Sequence, residues 1–192
     1  MHVGLLAFDT RFNEVEKANQ RDQTTFLCTV PVVARDALRM RLDLLESPRP
    51  IPGNAKITSR QMVAEDAPNL AHVMFRAYQG TTDDEGETED DALEEILRTF
   101  DGTYGPFNWA ASAIAEADGA IIAATLITTF NERPLLVYSF TCPDHQRQGI
   151  ARMLISRSAA VLWDQRASEL TLVVTRTNRA LGLYHQLGFV SD

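Results

Sequence analysis

The stretch that most constrains this chain runs from Leu135 to Val161. An apolar run, LLVYSFTC, breaks at Pro143, passes through DHQRQG and opens into IARMLISRSAAV, where Ile150, Met153, Leu154 and Val161 recur at helical spacing. Strand, glycine-bearing turn and helix in that order confine the fold to arrangements in which a helix crosses back over a sheet to reach a parallel strand. The turn also has a chemical consequence. The first amides of a helix find no partner within it, so unpaired N–H groups of residues 147–152 converge at the positive end of a helix dipole. Gly149 and Ala151 leave room for a diphosphate to approach the backbone, and Arg147 and Arg152 add charge beside it. A tight strand–helix connection without a ligand accounts for the same residues, because short glycine motifs recur in many folds.

The neighbouring segments set the sheet. ELTLVVT (Glu169–Thr175) reads as the parallel strand, and NRALGLYHQLGF (Asn178–Phe189) as a helix closed by Gly188 in a left-handed conformation. Upstream, Asp118-Gly119 between ASAIAEA and AIIAATLITTF is a two-residue type I′ hairpin signal, and Asn131–Pro134 turns the chain again. Two helices precede these strands. Asp66 with Ala67-Pro68 starts one that carries Leu70, Val73, Met74 and Ala77 on its apolar face. Thr88-x-x-Asp91 starts the other, with Leu93, Ile96, Leu97 and Phe100 inward and Gly102 at its end. The result is an α/β chain with a mixed, α+β type sheet flanked by helices.

VGLLAF (Val3–Phe8) and TTFLCTVPVV (Thr24–Val33) read as short strands, and ARDALRMRLDLLE (Ala34–Glu46) as a helix with Ala37, Leu38, Met40, Leu42, Leu44 and Leu45 on a broad apolar face. SPRPIPGN cannot continue either kind of element and forms a linker. The expected organisation is an N-terminal extension over residues 1–55 and a domain over 56–192. One core suffices, because 192 residues with 45% apolar content need no second large domain.

A net charge of −8 argues against wrapping a nucleic-acid backbone. No apolar run approaches the roughly 20 residues that span a bilayer, and the N-terminus has no secretory pattern, so a cytoplasmic protein without a membrane partner is expected. Cys28 and Cys142 are too few for a disulfide framework and read as small core residues. His2, His72, His145 and His185 have no paired-ligand spacing, so no metal is expected.

Two motifs then occur in order: Gln146-x-x-Gly149-x-Ala151, and Asn178-x-Ala180-x-x-Leu183-Tyr184-x-x-Leu187-Gly188-Phe189. Together they resemble the GCN5-related N-acetyltransferase (GNAT) superfamily, over a stretch from Lys56 to the end of the chain. The resemblance implies a splayed mixed sheet that holds acetyl-coenzyme A as co-substrate. Main-chain groups of Phe140, Thr141 and Cys142 would pair with the pantetheine amides. Gln146 would shape a loop in which Arg147, Gln148, Gly149, Ile150, Ala151 and Arg152 receive the pyrophosphate. Asn178 would cap its helix and touch the cofactor. Tyr184 would give a proton to the departing thiolate; a merely packed tyrosine also fits, since Ala180, Leu183, Tyr184 and Leu187 share one helical face.

The implied activity is direct acetyl transfer to a primary amine of a small molecule or peptide. Two other readings remain open: a catalytically weak or inactive module that binds or senses coenzyme A, and a nucleotide-binding protein. The second lacks GxxxxGK[ST] and GxGxxG fingerprints. Tyr138, Glu116, His145 and loop carboxylates are candidate bases. TTDDEGETEDD carries seven acids, and Asp83, Asp84 and Glu85, with Tyr138, are expected beside a cationic acceptor. A solvated acidic run that favours the following helix dipole explains the same residues. Two departures stand out: Thr141 where many members carry Val, and only Val190, Ser191 and Asp192 after Phe189. That tail is too short for a final hairpin, so the extension, or a second copy in a homodimer, is expected to cover the edge.

Overall fold

The structure, a computed structural model, describes residues 37–46, 48, 51, 56–81, 84 and 86–191. The strands expected at Val3–Phe8 and Thr24–Val33 lie outside the described residues, as do His2, Cys28, Asp83 and Glu85. The strands are β1 (Ala37–Asp43), β2 (Thr58–Gln61), β3 (Ala113–Ala117), β4 (Ala120–Phe130), β5 (Arg133–Thr141), β6 (Glu169–Thr175) and β7 (Val190–Ser191). The helices are α1 (Ala67–Tyr78), α2 (Glu89–Phe100), α3 (Ile150–Asp164) and α4 (Leu181–Gln186). Among the described residues these strands form one sheet in the order β2-β3-β4-β5-β6-β1-β7, in which only β5 and β6 run parallel.

Side-chain alternation along the strands assigns the helices to opposite faces. Ile114, Ala124 and Leu126 pack into one cluster with Leu70, Val73 and Ile96 of α1 and α2. Their neighbours Ala113, Ala115 and Ala123 pack with Ile150, Met153 and Leu154 of α3. The two hairpin turns form as the sequence predicts. Asp118 and Gly119 have φ of 50° and 80°, and Asn131 and Glu132 have φ of 49° and 63°, the double positive φ of a type I′ turn.

The segment expected as a helix from Ala34 to Glu46 is instead β1 over its described part. Leu38, Met40, Leu42 and Leu44 alternate with Arg39, Arg41 and Asp43. Positions two apart stand about 200° from each other around a helix but on one face of a strand. Burial follows the strand: Leu38, Met40 and Leu44 are buried, while Arg39 and Asp43 are exposed. β1 pairs with β6 from Ala37↔Thr175 to Asp43↔Glu169, and with β7 through Met40↔Ser191 and Arg41↔Val190. Residues ahead of the proline-rich linker therefore belong to the same sheet as the rest, beside the short C-terminal strand.

α2 forms with the Thr88–Asp91 capping box: Asp91 N donates to Thr88 Oγ1 at 3.2 Å, and Thr88 N donates to Asp91 Oδ2 at 2.8 Å. Its buried face is the expected one shifted to one side: Ile96 is buried and Leu93 and Phe100 pack partly buried beside it. Ala92, Ile96 and Thr99 are buried, whereas Leu97 is 46% exposed. That rotation turns Glu95 inward. At the start of α1, Asp66 does not cap the helix; its carboxylate accepts from Arg60 Nη1 and Nη2 at 2.8 and 2.7 Å and from Val63 N at 2.9 Å, tying β2 to α1. The Arg60 bonds, and then the Val63 amide, hold the Asp66 carboxyl below the usual carboxylate range.

Two outcomes follow from these contacts. Met40→Ala, at a fully buried position, costs about 2–5 kcal/mol of stability in a denaturant titration; a loss below about 1 kcal/mol would remove β1 from the core. Asp66→Asn lowers stability at neutral pH by about 1–3 kcal/mol, because Arg60 is partly solvated. Since the folded carboxyl titrates below its unfolded value, the contribution is present above about pH 4 and fades as pH falls further. Urea midpoints of the two proteins therefore converge in acid, and a gap independent of pH would contradict the assignment.

Candidate functional site

The site begins where two strands part. β5 and β6 are in register only at Leu135↔Thr171 and Leu136↔Leu172. The β4–β5 register then jumps from Ile127↔Leu136 to Leu126↔Tyr138, leaving Val137 as a bulge. A bulge bends its strand and re-aims the side chains beyond it; here Val137 and Tyr138 both join the core under α1 and α2. Beyond the bulge β6 continues with β1 alone, from Val173↔Arg39 to Thr175↔Ala37. Tyr138 to Thr141 keep their pairing to β4, and among the described residues no strand pairs with their other edge.

β5 leads into a 3-10 turn, Pro143–His145, and the glycine loop. Gln146 Nε2 donates to Thr141 O at 3.2 Å, which closes the loop back on the strand end. Arg147 and Gly149 adopt φ of 62° and 80°, and this left-handed backbone turns the chain into α3. For Gly149 the conformation carries no side-chain strain. The first amide of the helix to find a backbone acceptor is Met153, bonded to Gly149 O at 2.9 Å. The amides of residues 147–152 point to no backbone acceptor among the described residues. Arg147, Gln148, Gly149 and Arg152 are exposed, so this positive helix end opens to solvent. Arg76 at the end of α1 donates to Asp144 at 2.8 Å beside the loop.

Tyr184 belongs to α4, which follows β6, and packs in the core cluster shared by β1, β6 and α3. The helix expected from Asn178 begins only at Leu181. Residues 178–180 form a turn in which Asn178 Oδ1 accepts from Ala180 N at 2.8 Å and Asn178 O accepts from Leu181 N at 3.1 Å. α4 ends in a Schellman motif: Phe189 N donates to Tyr184 O, Gly188 N donates to His185 O, and Gly188 has a φ of 95°. The motif packs the Phe189 ring against Tyr184 at 5.6 Å. Tyr184 is 0% exposed, and its hydroxyl has no hydrogen-bond partner. Burial, followed by the nearby Tyr78, pushes its pKa well above the usual phenol value. A buried hydroxyl left without a partner costs about 1–3 kcal/mol, and among the described residues Tyr184 shares that condition with Thr128, His145 and Ser158.

A cavity of about 250 Å³ lies against α1 and α2, bordered by Met74, Phe75 and Tyr78 on one side and by Glu95, Arg98 and Tyr138 on the other. Asp84 and Tyr138, expected beside an acceptor, both line it. Tyr138 is almost fully buried and donates to Glu95 Oε1 at 2.5 Å. Burial and the Glu95 carboxylate raise its pKa, which makes it a neutral donor rather than a base. Glu116, another candidate base, instead pairs with Arg60 at 3.1 Å and does not border the cavity; neither does His145. Sequence reasoning missed Glu95. Its signal was position: it stands three residues after Ala92 and four before Thr99, on the face that becomes buried.

Among the described residues no helix is long and apolar enough to cross a membrane, and no group of three or more His, Cys, Asp or Glu side chains could hold a metal ion. Residues 108–191 match the family model described as an acetyltransferase (GNAT) domain. The structure is similar to a GCN5-related N-acetyltransferase from Sphaerobacter thermophilus, with a TM-score of 0.66, 17% identity, and coverage of 81% of this chain and 48% of that one. It is also similar to the ribosomal-protein-S18-alanine N-acetyltransferase from Escherichia coli, with a TM-score of 0.53, 23% identity and coverage of 69% and 76%. AAC(6')-Iy, solved with the bisubstrate analog CoA-S-monomethyl-acetylneamine, gives a TM-score of 0.54 at 17% identity, covering 69% and 89%. This chain spans about half the length of the Sphaerobacter protein, and at these identities the likeness is one of fold. No curated protein matches it significantly. Residues 108–191 thus match an acetyltransferase (GNAT) domain, and the fold of the chain recurs in solved GCN5-related N-acetyltransferases.

Proposed function

We propose that this domain is an acetyl-coenzyme A-dependent N-acetyltransferase that moves an acetyl group directly to the primary amine of a small molecule or peptide. The observation that carries the reading is the unpartnered, fully buried hydroxyl of Tyr184, in a chain whose β5 edge beyond the split and whose loop amides also lack partners among the described residues. Coenzyme A has a complement for each: a diphosphate for the loop, amides for the edge and a sulfur for the hydroxyl. The likeness to AAC(6')-Iy, solved with a coenzyme A-linked analog, supports the same fit.

When bound, acetyl-coenzyme A supplies a thioester carbonyl open to attack. The residues then divide the work. Amides of residues 147–152 and the charges of Arg147 and Arg152 hold the diphosphate, while Gln146 keeps the loop closed on Thr141. Main-chain groups of Phe140, Thr141 and Cys142 align the pantetheine arm along the open edge. Asn178 fixes the turn that leads into α4, the helix that carries Tyr184. As the N–C bond forms and the C–S bond breaks, the acceptor nitrogen loses one proton to water or a base. The sulfur takes one from Tyr184, which solvent later restores. A phenol whose pKa is raised stays protonated at neutral pH, as an acid must.

Calorimetry should register acetyl-coenzyme A binding to the folded protein. Gly149→Val, which forces a β-branched side chain into φ of 80°, should weaken it about tenfold or more. Tyr184→Phe should lower kcat about 10²-fold at unchanged coenzyme affinity, and without loss of melting temperature, because it deletes an unsatisfied group. No binding heat would end this reading; full activity in Tyr184→Phe would end the assigned role of the tyrosine.

A further inference from the structure

The cavity against α1 and α2 combines apolar walls with an excess of one charge. Met74, Phe75 and Tyr78 supply apolar and aromatic surface, and Tyr138 adds a buried phenol. Five carboxylates, Asp84, Glu87, Asp91, Glu94 and Glu95, border it against one guanidinium, Arg98. Backbone amides of Gly80 and Gly86 keep Asp84 ionised, and the Thr88 amide does the same for Asp91. Glu95 differs from the others by depth. Its side chain is 19% exposed, Tyr138 donates to one oxygen, and Arg98 stands 3.7 Å from the other. The cavity adjoins the proposed coenzyme cleft through Tyr138, which lines it and belongs to the part of β5 that no longer pairs with β6.

Resting on the acetyltransferase reading above, we propose that this cavity is the acceptor site, that it selects amines carrying two or more positive charges, and that Glu95 is its specificity-determining residue. The nitrogen that attacks a thioester must be neutral, so the reacting amine does not satisfy the carboxylates while it reacts. A pocket with this excess of negative charge is matched by a second, permanently protonated amine on the same molecule. The aromatic walls accept the methylene chain between the two nitrogens and the face of an ammonium. Glu95, anchored by Tyr138, takes one ammonium at the floor, and the exposed acids at the rim attract the charge that remains outside.

Initial rates with n-butylamine, 1,4-diaminobutane and spermidine, measured by thiol release, test this directly. The kcat/KM should rise at least tenfold from the monoamine to the diamine, and the advantage should shrink about fivefold or more between 0.05 and 0.5 M salt as charges are screened. Glu95→Gln should raise the diamine KM about tenfold and erase most of the preference. The same variant should keep its acetyl-coenzyme A affinity and melting temperature; Asp90→Asn, in the first turn of the same helix but off the cavity, should leave rates unchanged. Equal rates for monoamine and diamine, or a preference that survives in Glu95→Gln, would overturn the proposal. Saturable binding of 1,4-diaminobutane, followed by calorimetry on the protein alone, is read separately. If acetyl-coenzyme A fails to bind while the diamine binds in a Glu95-dependent way, the acetyltransferase reading falls and the pocket assignment stands. If the coenzyme binds and the diamine neither binds nor reacts, only the pocket assignment falls.

Discussion

Everything at the site depends on β5 and β6 parting company after two residue pairs. Parallel strands normally keep their ladder, because each unpaired N–H or C=O buried away from water costs free energy. Here the bulge at Val137 bends β5 away just beyond Leu136, and β6 is held in place by its seven-residue ladder with β1. Among the described residues the divergence leaves an unpaired main-chain edge that leads into an amide-rich helix start. Neither is a favourable local choice for a folded chain alone, and their coincidence is what makes a ligand the economical explanation.

β1 matters to that opening in two ways. It supplies β6 with a partner where β5 no longer does, so the split does not propagate into a loose strand. It also presses against the turn that carries Tyr184: a side-chain carbon at Gly188 would meet Leu42 Cδ1 at 3.3 Å. A residue larger than glycine there would be strained by its positive φ as well. The Schellman turn therefore fits only if Gly188 stays bare, and its bonds to Tyr184 and His185 fix the ring orientation from below. A strand ahead of the proline-rich linker thus helps to position a side chain near the opposite end of the sequence.

Much of this was legible before any coordinates. The hairpins announced themselves through Asp118-Gly119 and Asn131, where short polar residues or glycine tolerate positive φ. The glycine turn and its crossover helix were legible for the same local reason, and so was the capping box at Thr88. What failed was periodicity in short amphipathic segments. ALRMRLDLL satisfies a broad helical face and a strict alternation at once, and only pairing to β6, a contact some 130 residues away in the chain, decides between them. In α2, Leu93, Ile96 and Phe100 do turn inward, but Ala92 and Thr99 are buried beside Ile96 and Leu97 is left exposed. Propensity says nothing about that rotation, which is set by how closely α1 and α2 approach. Glu95 was hidden for the same reason: an acid on a helix reads as solvated until the docking face is known.

The head of α3 and the cavity at α2 carry opposite charge, and that asymmetry follows from backbone direction as much as from side chains. At the head of α3 the helix dipole and free amides present positive charge, and Arg147 and Arg152 extend it into solvent. The nearest acid, Asp144, is engaged by Arg76. Around α2 the sign reverses: three acids fill its first turn, where its own dipole favours them, and Glu94 and Glu95 carry the negative field along the helix. On the proposed reading an anionic coenzyme and a cationic amine would be drawn to different places, and Tyr138 and Tyr184 are both buried phenols whose pKa burial raises. Binding each partner weakly but in the correct place is sufficient in such a site, because alignment of amine and carbonyl supplies a large share of the rate.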